Sequence, residues 1–182
     1  MSDLKLVIGN KNYSSWSLRP WLFLKTFDIP FDEEMVFLYE KETQEQVRPY
    51  FSNGKVPVLV DSEKGEDFRV WDSLAIIEYV NDMFLNQQGW PKDMQARAVA
   101  RAVSAEMHSG FFALRNSLGM DCKKHFPNHP VPTDVQQEMT VLLIFGSTAN
   151  KIMEQVALGY LVSSVVQMLC LPQSCCDSLF MT

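Results

Sequence analysis

An α/β domain followed by an all-α domain is the architecture the sequence predicts, on three observations. Up to residue 84, short apolar runs of strand length alternate with segments of helical spacing. From residue 93 onward only helical spacing recurs. Between them lies a turn-rich stretch. With 182 residues the chain has room for two small domains. The expected boundaries are 1–84 for the first domain, 85–92 for a linker and 93–182 for the helical domain, atypical from about residue 142.

Each element has its own signal. Leu4-Lys5-Leu6-Val7-Ile8, ended by Gly9-Asn10, predicts a buried strand. Ser14 to Phe27 has helical spacing at Leu18, Trp21, Leu22 and Lys25 behind a serine-rich start suited to an N-cap. Phe31 to Leu38 predicts a second strand, and Thr43-Gln44-Glu45-Gln46 has the form of a capping box opening a short helix. Val56-Pro57-Val58-Leu59-Val60 predicts a third strand, Asp61 to Glu66 a turn, and Phe68 to Trp71 a fourth strand. Asp72-Ser73 caps a helix with Leu74, Ile77 and Val80 on its apolar face. The order is β-α-β-α-β-β-α. Beyond the linker, Val99, Val103, Met107, Phe111, Leu114 and Leu118 form one stripe, predicting a single helix over 93–118. A second capping box, Thr133-Asp134-Val135-Gln136, predicts another helix.

Composition narrows the function classes. A net charge of −6 argues against nucleic-acid binding, which needs a basic surface. Hydrophobic residues at 47% suit a globular core and exclude disorder. The most apolar stretch, Leu158 to Leu171, is shorter than a spanning helix needs, so no membrane association is expected, and the N-terminus shows no signal peptide. Four cysteines without a Cys-x-x-Cys pair or histidines at ligand spacing predict neither a metal site nor a disulfide framework, and a cytoplasmic setting follows.

Three constellations carry chemistry. Asn12 to Pro20 sets Ser14 and Ser15 where the free N–H groups and positive end of a helix favour an anion. Lys55-Val56-Pro57 can hold a cis peptide that leaves the Val56 backbone open to pairing with an extended peptide. Asp72-Ser73 at a helix start suits a carboxylate, with the aspartate beside it for an ammonium. Taken singly, each has a plainer reading: a capping serine, an edge proline, a simple N-cap.

Together, in this order and spacing, the three resemble the glutathione transferase superfamily. Ser14, Ser15, Ser17 and Arg19 are similar to the Ser-Ser-x-Ser-x-Arg pattern of zeta-class and related bacterial enzymes. Val56-Pro57 resembles the family's Val–cis-Pro, and Asp72-Ser73-Leu74-Ala75-Ile76-Ile77-Glu78-Tyr79 its acidic/Gln-Ser-x-Ala-Ile-x-x-Tyr segment. The resemblance covers about residues 4 to 141. It implies a thioredoxin-like N-terminal domain and an incomplete all-α C-terminal domain. It further implies glutathione as co-substrate, with no metal, and a small electrophile as second substrate, for conjugation or glutathione-dependent isomerisation in detoxification by a homodimer. By the same resemblance Ser14 would hydrogen-bond the sulfur, with Ser15 as alternate. Val56 would pair with the cysteinyl unit, Asp72 and Ser73 would hold the γ-glutamyl group, and Lys55 would reach the glycyl carboxylate. Met107, His108, Phe111 and Arg115 are the candidates for the second-substrate pocket, although Met and Phe at such positions are ordinarily core and a lone His is ordinarily structural. The absence of cysteine from Ser14 to Ser17 excludes dithiol exchange at that site. Two alternatives stay open: an inactive truncated member, and a non-enzymatic thioredoxin-fold binding module that does not bind glutathione.

The tail departs from this pattern. Between Leu142 and Thr182 three of 41 residues are charged (Lys151, Glu154 and Asp177), against 35 of 141 before it. The family's Ser/Thr-x-x-Asp helix cap is missing from its expected place. We read the tail as translation in a shifted frame. Pairing the last base of each codon with the first two of the next, Met153-Glu154 forces Gly, Gln167-Met168 gives Asp or Asn, and Met168-Leu169 gives Ala or Val. The shifted frame can spell Trp-Leu-Phe-Gly-x-Phe-Ser-x-Ala-Asp-Ala, which resembles the missing segment; the coding DNA tests this expectation.

Overall fold

The computed structural model describes residues 3–153, apart from 39, 42, 51–52, 66–67, 125 and 127–128. The shifted-frame reading falls mostly on residues 154–182, outside the described residues. The chain divides into two compact units after Gln88, within the stretch expected to be a linker.

The first unit holds β1 (Leu4–Gly9), α1 (Ser15–Thr26), β2 (Asp32–Val36), α2 (Thr43–Val47), β3 (Val58–Asp61), β4 (Arg69–Trp71) and α3 (Ser73–Phe84). Its sheet has the order β2-β1-β3-β4. β1 pairs parallel with β2, which the α1 crossover makes possible, while β3 runs antiparallel to β1 and to β4. This is a thioredoxin-like sheet, and the predicted β-α-β-α-β-β-α order is the observed one.

Burial explains the apolar Leu6-Val7-Ile8 run of β1. A central strand covered on both faces needs no polar alternation, and Leu6, Val7 and Ile8 are all buried. Val7 joins Val36, Val58 and the α2 residue Val47 on one face. Helices α1 and α3 pack on each other, with Phe23, Leu24, Ile76, Ile77 and Val80 fully buried. The short α2 differs from a capping box. Its first residue, Thr43, turns its hydroxyl back to the Phe37 and Glu40 carbonyls at 2.7 and 2.9 Å.

The second unit holds α4 (Met94–Ser109), α5 (Phe112–Ser117) and α6 (Thr133–Met153). The single helix predicted over 93–118 is therefore two. Gly110 closes α4 by donating to the Glu106 carbonyl at 2.8 Å, and Phe111 takes a left-handed φ of 63°. Two side chains stitch the break. Glu138 of α6 accepts from the Ala113 and Leu114 amides at 3.3 and 2.7 Å, capping α5. Arg115 donates to the carbonyls of Gly110, at 2.9 Å, and Met107. The break lets Phe111 enter a cluster with Met107, Leu114, Leu118, Val135, Met139 and Leu142. A straight helix keeps its stripe but cannot aim that many residues at α6. Val99, at the stripe's start, is exposed. In the second capping box Gln136 does reach back, but its Nε2 donates to the Val131 carbonyl at 2.8 Å.

Candidate functional site

The β1–α1 connection is built around Asn10. Its carbonyl accepts from the Tyr13 and Ser14 amides at 3.0 and 2.9 Å, while its Oδ1 accepts from the Leu38 amide beyond β2 at 2.6 Å. This turn delivers Ser14 to the mouth of α1 as its N-cap, with Oγ accepting from the Ser17 amide at 3.3 Å. Gly9 makes the approach possible. A Cβ there would lie 3.0 Å from the Ser14 Cβ and 2.7 Å from Leu38 Cδ1. Ser14 is buried and Ser15, the first residue of α1, is half-buried. Behind them the buried Arg19 stacks on the Trp16 ring at 4.1 Å.

The second wall is the loop before β3. The Val56–Pro57 bond is cis, and the ladder begins only at Val58. Lys55 is exposed, its amide donating to Asn53 Oδ1 at 2.9 Å.

The third wall is the start of α3. Asp72 has φ 79°, a region few non-glycine residues enter without a local reason. Its Oδ1 accepts from the Leu74 and Ala75 amides at 2.9 and 3.2 Å. The helix mouth thus differs from the expected set of free N–H groups, because the aspartate itself occupies two of them. Ser73 is 1% exposed, and its Oγ has no hydrogen-bond partner among the described residues. An orphaned buried hydroxyl is costly, and a group that reaches it from the cleft would relieve that cost.

Ser14, Ser15, Lys55, Val56, Asp72 and Ser73 line one cleft of about 690 Å³. The structure therefore brings together all six residues singled out for glutathione. Tyr13, Trp16 and Trp71 also line it and were missed, although each sits within or beside a quoted motif.

The four residues expected at a second-substrate pocket lie in the second unit, and most have structural surroundings. Met107 and Phe111 are 3% and 7% exposed within the α4–α5–α6 core. Arg115 is bound to two main-chain carbonyls, and burial pulls its guanidinium below the ordinary value while the Glu138 charge opposes this. His108 is half-buried on the last turn of α4. Among the described residues no group of three or more His, Cys, Asp or Glu is placed to hold a metal, and no helix is long and apolar enough to cross a membrane.

Fold and cleft define a thioredoxin-like domain followed by a helical one. Residues 13–83 match the glutathione S-transferase N-terminal domain. Over 70 residues the chain is 41% identical to the dichloromethane dehalogenase of Methylorubrum extorquens, covering 37% of this chain and 23% of that protein. It is 33% identical over 119 residues to a probable maleylacetoacetate isomerase of Caenorhabditis elegans, covering 64% of this chain and 52% of that one. A glutathione transferase homolog from Burkholderia, solved with bound glutathione, superposes with a TM-score of 0.63 at 20% identity, over 91% of this chain and 79% of that one. Over residues 13–83 the chain is similar to the glutathione S-transferase N-terminal domain, and the relatives and solved structures it resembles share that likeness. The chain spans about a quarter and about half the length of the two curated relatives.

Proposed function

We propose that the chain binds glutathione in this cleft and activates its thiol for attack on a small electrophile, by conjugation, dehalogenation or glutathione-dependent isomerisation. The observation that carries the reading is the buried, unpartnered Ser73 hydroxyl in the same cleft as the helix-capping Ser14. In this reading Ser73 donates to the γ-glutamyl carboxylate and the exposed Asp72 carboxylate attracts its ammonium. The Val56 backbone, which no described residue pairs, hydrogen-bonds the cysteinyl unit. Lys55 attracts the glycyl carboxylate, and Ser14 donates to the sulfur, with Ser15 next in line.

The chemistry asks little of the protein. A free thiol ionises near pH 8.5, and the thiolate is the nucleophile. A hydrogen bond to a charged group contributes about 1.5–3 kcal/mol and a helix N-terminus about 0.3–1. At about 1.4 kcal/mol per pKa unit the hydrogen bond alone lowers the thiol by about one to two units, with no general base. The related dehalogenase and isomerase support the choice of reaction classes. A homodimer, a cytoplasmic location and a role in detoxification belong to the same reading and rest on the resemblance to the family.

A second reading is a glutathione-binding module without turnover. It draws on Met107 and Phe111, which are buried in the core of the helical unit among the described residues. Retention on immobilised glutathione, followed by conjugation assays of the wild type and Ser14→Ala, separates the readings. Binding with turnover that falls in Ser14→Ala supports the enzyme, and binding without turnover supports the module. Glutathione at about 100 times Kd adds about 2.7 kcal/mol of stability under either reading; no change would defeat both.

A further inference from the structure

We propose that Ser17 is a positioning residue for Ser14: its buried hydroxyl, anchored on the Gly9 amide, donates to Ser14 Oγ and turns the Ser14 proton into the cleft. This rests on the reading that Ser14 faces a glutathione sulfur.

Ser17 is 2% exposed and does not line the cleft, so it acts through another residue. Its Oγ accepts from the Gly9 amide at 3.0 Å. Gly9 is the last residue of β1 and is held in register against Val36, so the anchor belongs to the sheet. The Ser14 and Ser17 hydroxyl oxygens are 2.8 Å apart, and the Ser17 amide lies 3.3 Å from Ser14 Oγ. Two hydroxyls at this distance share one proton position between them, and each rotates to suit its surroundings.

The direction of that bond decides what Ser14 offers a ligand. With Ser14 donating inward, its lone pairs face the cleft and repel a thiolate. With Ser17 donating outward, Ser14 Oγ receives both the Ser17 O–H and the Ser17 N–H. Its two lone pairs are then filled, and its own proton points to the cleft. The bonds run head to tail from the Gly9 amide through Ser17 and Ser14 to the sulfur. Each polarises the next, strengthening the terminal donor by about 10–30% per bond. No covalent bond changes; the proton on each oxygen stays on that oxygen.

Removing the Ser17 hydroxyl leaves the cleft walls in place but takes the anchor from behind Ser14. Lys55 and Asp72, the charged groups lining the cleft, are kept in every variant, so their field cancels in the comparison. The experiment titrates the thiol of glutathione bound to the full chain by the ultraviolet absorbance of the thiolate, for the wild type, Ser17→Ala, Ser17→Cys, Ser17→Thr and Ser14→Ala. The expected result is a raised thiol pKa in Ser17→Ala and Ser17→Cys, with about two- to fivefold less thiolate at a pH below the wild-type midpoint. Ser17→Thr, which keeps a hydroxyl, restores it. Glutathione affinity at low pH, where the thiol is protonated, stays near wild type. If Ser14→Ala moves the titration and the Ser17 variants do not, the proposal is wrong and the glutathione reading stands. If Ser14→Ala leaves the titration unmoved, that reading fails and the proposal with it. Should Ser17→Ala not fold, Ser17→Cys, close to serine in volume, decides alone.

Discussion

The Tyr79 hydroxyl donates to Asp61 Oδ2 across 2.5 Å, tying the middle of α3 to the end of β3. Asp61 is 1% exposed, and its other oxygen accepts from the Glu63 amide at 3.0 Å, shaping the turn into β4. A buried carboxylate is stable only when its oxygens are paired, and this pair meets that demand. Tyr79→Phe leaves Oδ2 unpartnered. We expect a loss of about 1–3 kcal/mol of stability, read as a lower urea midpoint with an unchanged slope. Burial, and then the Asp61 bond and charge, hold the Tyr79 hydroxyl well above its ordinary 10.0. A raised pKa contributes stability that is fully present below about pH 10 and lost as pH rises above it. The wild type should therefore lose its margin over Tyr79→Phe in alkaline buffer.

Glu33 on the edge strand β2 predicts the opposite sign. Burial raises its pKa, but hydrogen bonds from Lys11 and the Trp21 indole, with the charges of Lys11 and Lys25, outweigh that and hold it below its ordinary value. The contacts are 2.6 Å from Lys11 Nζ, 2.8 Å from Trp21 Nε1 and 3.8 Å from Lys25 Nζ. A depressed carboxylate contributes stability present above its unfolded pKa of about 4.5 and lost as pH falls below it. Urea midpoints of the wild type and Glu33→Gln should differ at pH 7 and converge toward pH 3. The group is partly exposed and screened, so the gap should be small and should shrink in high salt.

Ser73→Ala separates binding from folding. In the unliganded protein the substitution removes a buried hydroxyl without a partner, so stability should hold or rise slightly. If that hydroxyl donates to a carboxylate of glutathione, the loss is that of a bond to a charged group, about 1.5–3 kcal/mol, or roughly ten- to hundredfold in Kd. Calorimetric titration with glutathione and thermal melting of the same variant read the two effects. Unchanged affinity would remove Ser73 from the site.

Legibility followed the locality of the cause. β1 and α3 were readable because their patterns are local: four apolar residues among the five before Gly9, and a helical stripe behind an Asp-Ser cap. Six cleft residues were readable because each stands at a strand end or a helix start, where chain punctuation is strong. The break at Gly110-Phe111 was not. Its cause is Glu138, 24 residues away from Leu114, capping α5 from another helix. The surroundings of Met107 and Phe111 were not legible for a related reason. Met107 and Phe111 have the spacing of a stripe, and spacing does not say whether a stripe faces a ligand or α6. Ser17 was visible within the serine pattern, but its partner is a main-chain amide of β1, which side-chain identity does not reveal.

Gly9→Ala tests how closely the sheet and the cleft are coupled. An added Cβ would meet Leu38 Cδ1 at 2.7 Å, Leu38 Cγ at 2.9 Å and Ser14 Cβ at 3.0 Å. Leu38 can move its terminal carbons aside. Ser14 has less freedom, because Asn10 holds its amide and Ser17 its hydroxyl. Overpacking of this kind costs about 1–3 kcal/mol, so the fold should survive with a lower melting temperature. The greater loss should fall on chemistry, since a displaced Ser14 hydroxyl no longer aligns with a bound sulfur. Turnover should drop more than glutathione affinity, measured as kcat against KM in a conjugation assay. Equal losses in both would mean that Gly9 shapes the whole cleft and not the Ser14 position alone.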